Sequence, residues 1–177
     1  MNALTYDPVH RARYAFHPDG ENMVVETWLE PGGVLPPHSH PRQEERWSVV
    51  DGEVRFQLGK SKRVIGPQDG EMVVRPNTVH GIKAVSERTA RLRCYVAPAL
   101  GLQAFLEESA VAGREGLFMR GGIPRGLRGA RWAAGFLERN RDDVVMAFPP
   151  PPVVRAMIAL FGKSSEAQPR GLASANR

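Results

Sequence analysis

Gly32-Gly33-Val34-Leu35-Pro36-Pro37-His38-Ser39-His40-Pro41-Arg42-Gln43-Glu44-Glu45-Arg46-Trp47-Ser48-Val49-Val50-Asp51-Gly52 is the stretch that decides the fold. Two histidines stand one residue apart, a pair of carboxylates follows, and glycines close both ends. Alternate residues of a strand share a face, so His38 and His40 point the same way. Pro41-Arg42 makes a short turn, and a second strand begins at Glu44 or Glu45. There Trp47 and Val49 share a face with Glu45, whereas Arg46 and Ser48 share one with Glu44. The apolar set belongs inside, so Glu45 is expected to face the histidines and Glu44 the solvent. Two imidazoles and a carboxylate converging inside a β-structure make a site for a divalent transition metal.

A third histidine ends Asp69-Gly70-Glu71-Met72-Val73-Val74-Arg75-Pro76-Asn77-Thr78-Val79-His80. Turn, strand, turn and histidine follow one another there. Together the two stretches resemble the two motifs of the cupin family. The first matches throughout, with Gly32, His38, His40, Glu45 and Gly52 at the family's spacing. The second departs from it. Arg75 and Asn77 stand where the family has proline and glycine, Pro76 is displaced, and Ala84 replaces an asparagine. Asparagine enters the left-handed backbone region more readily than most residues, so Asn77 can serve the same turn. The resemblance covers roughly residues 20–98. It implies an all-β cupin jelly-roll barrel in which His38, His40, Glu45 and His80 bind one divalent metal: iron, manganese, nickel, copper or zinc. It also implies a homodimer, since cupin barrels often pair through edge strands.

The rest of the first hundred residues agrees with a barrel. Met23, Val25, Thr27 and Leu29 alternate with Val24, Glu26, Trp28 and Glu30, a half-buried strand that ends at Pro31-Gly32-Gly33. Asp51-Gly52 has the chemistry of a type I′ hairpin. Val54, Phe56 and Leu58 form the next inward row, and strands are expected at 64–65, 72–74, 79–85 and 90–97. Short strands with turn signals every eight to twelve residues read as a sandwich or barrel. Residues 1–20, broken by Pro8 and Pro18, are expected to lie along the barrel edge or add a strand. His10 and His17 fall outside any ligand spacing and read as surface histidines.

Beyond Pro98 the period shifts from two to about 3.6. Residues 1–98 are therefore read as the barrel and 99–177 as a basic, partly helical C-terminal extension. Leu102, Phe105 and Leu106 form a short apolar stripe. Residues 113–130 are rich in glycine and read as a loop or partly helical linker, with a helix from Ala130 to Asn140. Pro149 to Pro152 reads as a polyproline spacer. It leads to a helix with Val153, Val154, Met157, Ile158 and Phe161 on one face. From about residue 164 the chain is polar and expected to be disordered.

Composition narrows the function classes. Hydrophobic residues are 42% and charged residues 24% of 177, enough for a packed core. No signal peptide or membrane span is expected, so the cytoplasm is the default location. The single Cys94 sits in an alternating stretch and reads as a core thiol. The net charge of +5 belongs to the end of the chain: residues 114–177 hold 11 basic and 5 acidic residues, the remainder 13 and 14. That segment lacks aromatics at base-stacking spacing, which argues against nucleic acid. The last helix is expected to pack within or between chains, with contact to a membrane surface as the other reading.

Three imidazoles and a carboxylate leave two positions of a six-coordinate ion open, which favours chemistry over bare structure. The first expectation is a small-molecule enzyme of the dioxygenase type, with Glu45 both ligand and catalytic base. Trp47, Val49, Phe56 and Met72 are candidate pocket walls. The second is a non-redox isomerase, lyase or cyclase, whose extra proton-transferring group could be Tyr95, Arg93 or Glu26. The third is a ligand-binding cupin without catalysis.

Overall fold

The computed structural model describes residues 4–149 and 151–161. Ten strands come first: β1 (Thr5–Asp7), β2 (Ala12–Asp19), β3 (Asn22–Leu29), β4 (Val34–Ser39), β5 (Glu44–Asp51), β6 (Val54–Leu58), β7 (Ser61–Ile65), β8 (Met72–Val74), β9 (His80–Ala84) and β10 (Ala90–Ala97). Then follow α1 (Leu102–Arg114), β11 (Phe118–Met119), β12 (Ile123–Pro124), α2 (Gly126–Arg139), β13 (Val145–Met146) and α3 (Pro151–Phe161). One sheet has the order β1-β2-β3-β10-β5-β8 and the facing sheet β13-β4-β9-β6-β7. β11 and β12 form a separate two-stranded hairpin. This is a cupin-type β-barrel with a helical extension.

The alternating rows explain why these strands form. Met23, Val25, Thr27 and Leu29 are all buried on β3, and Leu92, Cys94 and Val96 are buried beside them on β10. From the facing sheet Val54, Phe56, Ile65, Ile82 and Ala84 join the same core. Each fully buried large apolar side chain contributes about 1.5–3 kcal/mol. Residues 1–20 add two strands, and Tyr14 and Phe16 face the core.

Two turns behave differently from each other. Gly59-Lys60 makes a tight hairpin, with Leu58 opposite Ser61. Asp51-Gly52 does not make one, because β5 and β6 lie in different sheets. Gly52, at φ 79°, instead carries the chain across from one sheet to the other. A Cβ there would stand 3.1 Å from the Ala90 Cα, so the crossing needs glycine for space as well as for its backbone angle.

β4 is an unusual strand, since Pro36 and Pro37 cannot donate to a ladder. Its pairing with β9 slips by one residue between Leu35 and His38. This bulge brings His38 opposite His80. Gly81 fills the close approach that results: a Cβ there would lie 3.1–3.2 Å from the backbone of Pro37 and Leu35.

The extension departs from its sequence reading at α2 and at α3. α2 begins at Gly126 rather than Ala130. Gly129 permits this, because any side chain at that position would collide with the Leu117 carbonyl. Helix-to-backbone packing therefore outweighs glycine's poor helix propensity. Pro151 and Pro152 are the first residues of α3 rather than a spacer, a position where proline's missing N–H costs nothing. Pro150 and residues 162–177, including the expected disordered tail, lie outside the described residues. α3 lies against α2, with Val154, Met157, Ile158 and Phe161 half-buried and Val153 exposed. No helix among the described residues is long and apolar enough to cross a membrane.

Candidate metal centre

His38, which ends the bulge of β4, His40, just after that strand, and His80, at the start of β9, come together. One ring nitrogen from each lies within 4.8 Å of the others, so the three could hold a metal ion. The rings of His38 and His80 are 4.3 Å apart, and those of His38 and His40 are 4.9 Å apart. Glu45 enters from β5 on the opposite sheet and is 2% exposed. Its carboxylate lies 3.2 Å from His40 Nε2 and 2.8 Å from His80 Nε2. Glu44 points outward and pairs with Arg46, as the strand alternation requires.

All three imidazoles are held by their other nitrogen. His38 Nδ1 lies 2.8 Å from the Pro36 carbonyl, His40 Nδ1 2.8 Å from the Asp143 carbonyl, and His80 Nδ1 3.2 Å from the Thr78 carbonyl. A carbonyl only accepts, so each Nδ1 carries the proton and each neutral ring presents a lone pair at Nε2. His40 Nε2 and His80 Nε2 are close enough to Glu45 to bond, yet neither has a hydrogen-bond partner by direction. Direction decides, because a ring nitrogen bonds in the plane of its ring. Buried nitrogens aimed past a neighbouring carboxylate suit a metal ligand set. With bonds of about 2.1 Å, ligands at right angles stand about 3 Å apart, close to the two distances seen.

The four side chains also set one another's charge. Burial alone would raise the Glu45 carboxyl, but the adjoining His40 and His80 hold it well below the usual range. Burial, with His80 and His40 alongside, pushes His38 down to about 3. His40 is raised, because the Glu45 carboxylate outweighs its burial. Trp47 Nε1 donates to Glu45 Oε2 at 2.8 Å and anchors the carboxylate from the neighbouring inward position of β5.

The cluster opens into a cavity of about 460 Å³, a size suited to a small organic molecule. Trp47 lines it, as expected; Val49, Phe56 and Met72 belong to the barrel core instead. Tyr95, Arg93 and Glu26 are on the outer face of the sheet, and Arg91 and Arg93 both bind Glu26 there. They cannot serve as the additional proton-transferring group. Cys94 is buried as expected, and burial pushes its thiol well up.

The extension builds the other half of the cavity. Phe105 of α1, Phe118 of β11, Trp132 and Phe136 of α2 and Met157 of α3 all line it. Residues 142–147 are clamped on the ligand strand. β13 pairs with β4, placing Met146 opposite His38, and Ala147 N donates to the Pro37 carbonyl at 2.9 Å. Arg42 binds Asp143 Oδ1 at 2.6 Å.

His10 corrects its sequence reading. It is not a free surface histidine: it lines the cavity, and its Nδ1 lies 2.6 Å from Oδ2 of the buried Asp7. The Asp7-x-x-His10 spacing was the available signal. His17 is half-exposed near Glu26, as a surface residue.

Residues 14–96 match the family model described as Cupin domain. The barrel of this chain is a cupin domain. An oxidoreductase from Arthrobotrys oligospora is 34% identical to this cupin over 53 residues, which are 29% of this chain and 21% of the relative. The chain thus spans about a fifth of the length of that curated relative. Among solved structures, KdgF from Halomonas sp. is 25% identical, over 49% of this chain and 78% of its own, with a TM-score of 0.44. An RmlC-like cupin from Shewanella frigidimarina is 22% identical over 56% and 86%, with a TM-score of 0.49.

Proposed function

We propose that this cupin is a metal-dependent enzyme of the dioxygenase type acting on a small molecule, with His38, His40, Glu45 and His80 as ligands of one divalent transition metal. The carrying observation is the shared tautomer: three Nδ1 atoms bound to backbone carbonyls, with a ring nitrogen of each histidine gathered together and those of His40 and His80 beside Glu45. A bound iron, manganese, nickel or copper ion would supply the redox chemistry and zinc only Lewis-acid chemistry. The chain's own residues orient and enclose the substrate. Glu45, fixed by Trp47, stands at the cavity wall in its ionised form and can take a proton from a substrate hydroxyl. The apolar helices of the extension exclude water. A redox reaction is placed first because a 53-residue stretch resembles part of an oxidoreductase.

His10 favours a second reading. An isomerase, lyase or cyclase needs a proton carrier besides the metal ligands, and the Asp7-bound imidazole faces the same cavity.

The test is elemental analysis of protein purified without added metal or a histidine tag, followed by oxygen uptake with aromatic and enolic compounds. About one redox-active ion per chain and substrate-dependent uptake support the dioxygenase. Stoichiometric zinc and no uptake move the assignment to the non-redox class. No metal after reconstitution overturns both and leaves a ligand-binding cupin. Residence in the cytoplasm and a homodimeric state belong to the same proposal; light scattering of the pure protein checks the latter, and a monomer would remove it.

A further inference from the structure

The cavity has a second polar end, away from the histidine cluster. Tyr14 and Thr27 are paired across β2 and β3 and are 1% and 0% exposed. Both line the cavity, and neither Tyr14 OH nor Thr27 Oγ1 has a hydrogen-bond partner among the described residues. Two neighbouring buried hydroxyls without partners are costly unless something in the cavity completes them.

His10 lies at the same end. β1 pairs with β2, and the charge of Asp7 is felt at the Tyr14 phenol. Burial raises the Asp7 carboxyl, but bonds from His10 and Val9 more than reverse this and keep it ionised. Asp7 therefore accepts from His10 Nδ1, and in the neutral form of the ring Nε2 turns a lone pair outward. A Cβ built on Gly122, in the hairpin over the cavity, would stand 4.0 Å from that nitrogen. The far end thus offers one acceptor and two hydroxyls.

Charge and shape narrow what fits. No lysine or arginine lines the cavity among the described residues, so a carboxylate or phosphate at this end would lack a counter-charge. A neutral hydroxyl satisfies the whole set, donating to His10 Nε2 and accepting from Tyr14 and Thr27 at its two lone pairs. The two ends are well separated. Thr27 pairs with Leu92, and Leu92 with Val49, two strands away from Thr27 and four residues beyond Glu45. Two strand spacings are about 10 Å and four residue steps about 13 Å. The walls between are largely aromatic: Trp47, Phe105, Phe118, Trp132 and Phe136.

We propose that the cavity takes an elongated, neutral aromatic molecule whose far hydroxyl is bound by Tyr14, Thr27 and His10 while its other end reaches the histidine cluster. The near end rests on the function proposed above; the far-end subsite does not.

The test is calorimetric binding of trans-stilbene and 4-hydroxystilbene to the full chain stripped of metal by chelation. The wild type is expected to prefer the hydroxylated probe by about tenfold, the order of one hydrogen bond. Tyr14→Phe with Thr27→Val, and separately His10→Leu, should reduce that preference to less than about twofold. Removing unpartnered hydroxyls should leave the melting temperature of the ligand-free Tyr14→Phe and Thr27→Val variants unchanged or higher. Three results would overturn the proposal. One is binding of neither probe. The second is a preference that survives in the Tyr14/Thr27 variant and vanishes in His40→Ala, which puts the hydroxyl at the histidine cluster. The third is a fall in melting temperature in both single variants, which means that the hydroxyls are bonded within the protein. Because the protein is metal-free throughout, failure of the metal assignment leaves these outcomes readable.

Discussion

His40 Nδ1 lies 2.8 Å from the backbone carbonyl of Asp143, 103 residues further along the chain. A ligand candidate in the barrel is therefore oriented by the extension. The contact is held by the pairing of β13 with β4, by the buried Val144, and by the exposed Arg42–Asp143 pair.

Val144→Asp should lift this segment off the strand, because it buries an unpaired charge. Metal affinity is expected to fall about 10–100-fold, the usual cost of losing such an orienting partner. Arg42→Ala removes only a surface pair worth at most about 1 kcal/mol and should change affinity by less than tenfold. Titration with metal in a competing chelator measures both, with circular dichroism to confirm folding. Equal affinity in wild type and Val144→Asp would mean that the carbonyl does not matter.

Trp47→Phe keeps the ring but loses the donor to Glu45 Oε2. The carboxylate is then free to rotate, and metal should bind about tenfold more weakly. Glu45→Gln, which removes the charge, should cost more, and Glu44→Gln almost nothing. An effect of Glu44 as large as that of Glu45 would contradict the strand register.

Asn77 has φ 63°, in the left-handed region. Asn77→Gly should be tolerated, while Asn77→Val should lower stability by about 1–2 kcal/mol. Thermal or urea denaturation reads this directly. If valine is harmless, the turn before His80 has more freedom than its backbone angle implies.

Asp7 makes part of the stability dependent on pH. Its folded-state carboxyl titrates below the ordinary 3.8, because His10 and the backbone overcome the effect of burial. A lowered acid adds stability above the unfolded value, lost as pH falls through the folded one. The wild type should therefore exceed Asp7→Asn in melting temperature at pH 7, and the gap should close below about pH 4. A gap that stays constant through that range would show that the Asp7 charge contributes nothing.

The barrel and the four clustered residues were legible because both signals are local. Period-two alternation sorts Glu45 from Glu44, and fixed spacing marks His38, His40 and His80. Other features depend on contacts that a sequence does not display. A backbone carbonyl such as that of Asp143 has no side-chain signature. Gly129 reads as a helix breaker until the Leu117 carbonyl is seen pressed against it. Asp51-Gly52 has hairpin chemistry, yet sheet packing uses it to change sheets. His10 looked isolated because its partner, Asp7, lies on a strand that the polar opening residues barely announce.

The crossing at Gly52 has a consequence for folding. His38 and His80 belong to one sheet and Glu45 to the other, so neither sheet alone contains the four residues in place. A chain with one sheet formed and the other still loose would offer only part of the coordination sphere. High-affinity metal uptake would then report barrel closure, and its time course during refolding would separate the moment the two sheets meet from the earlier formation of either one.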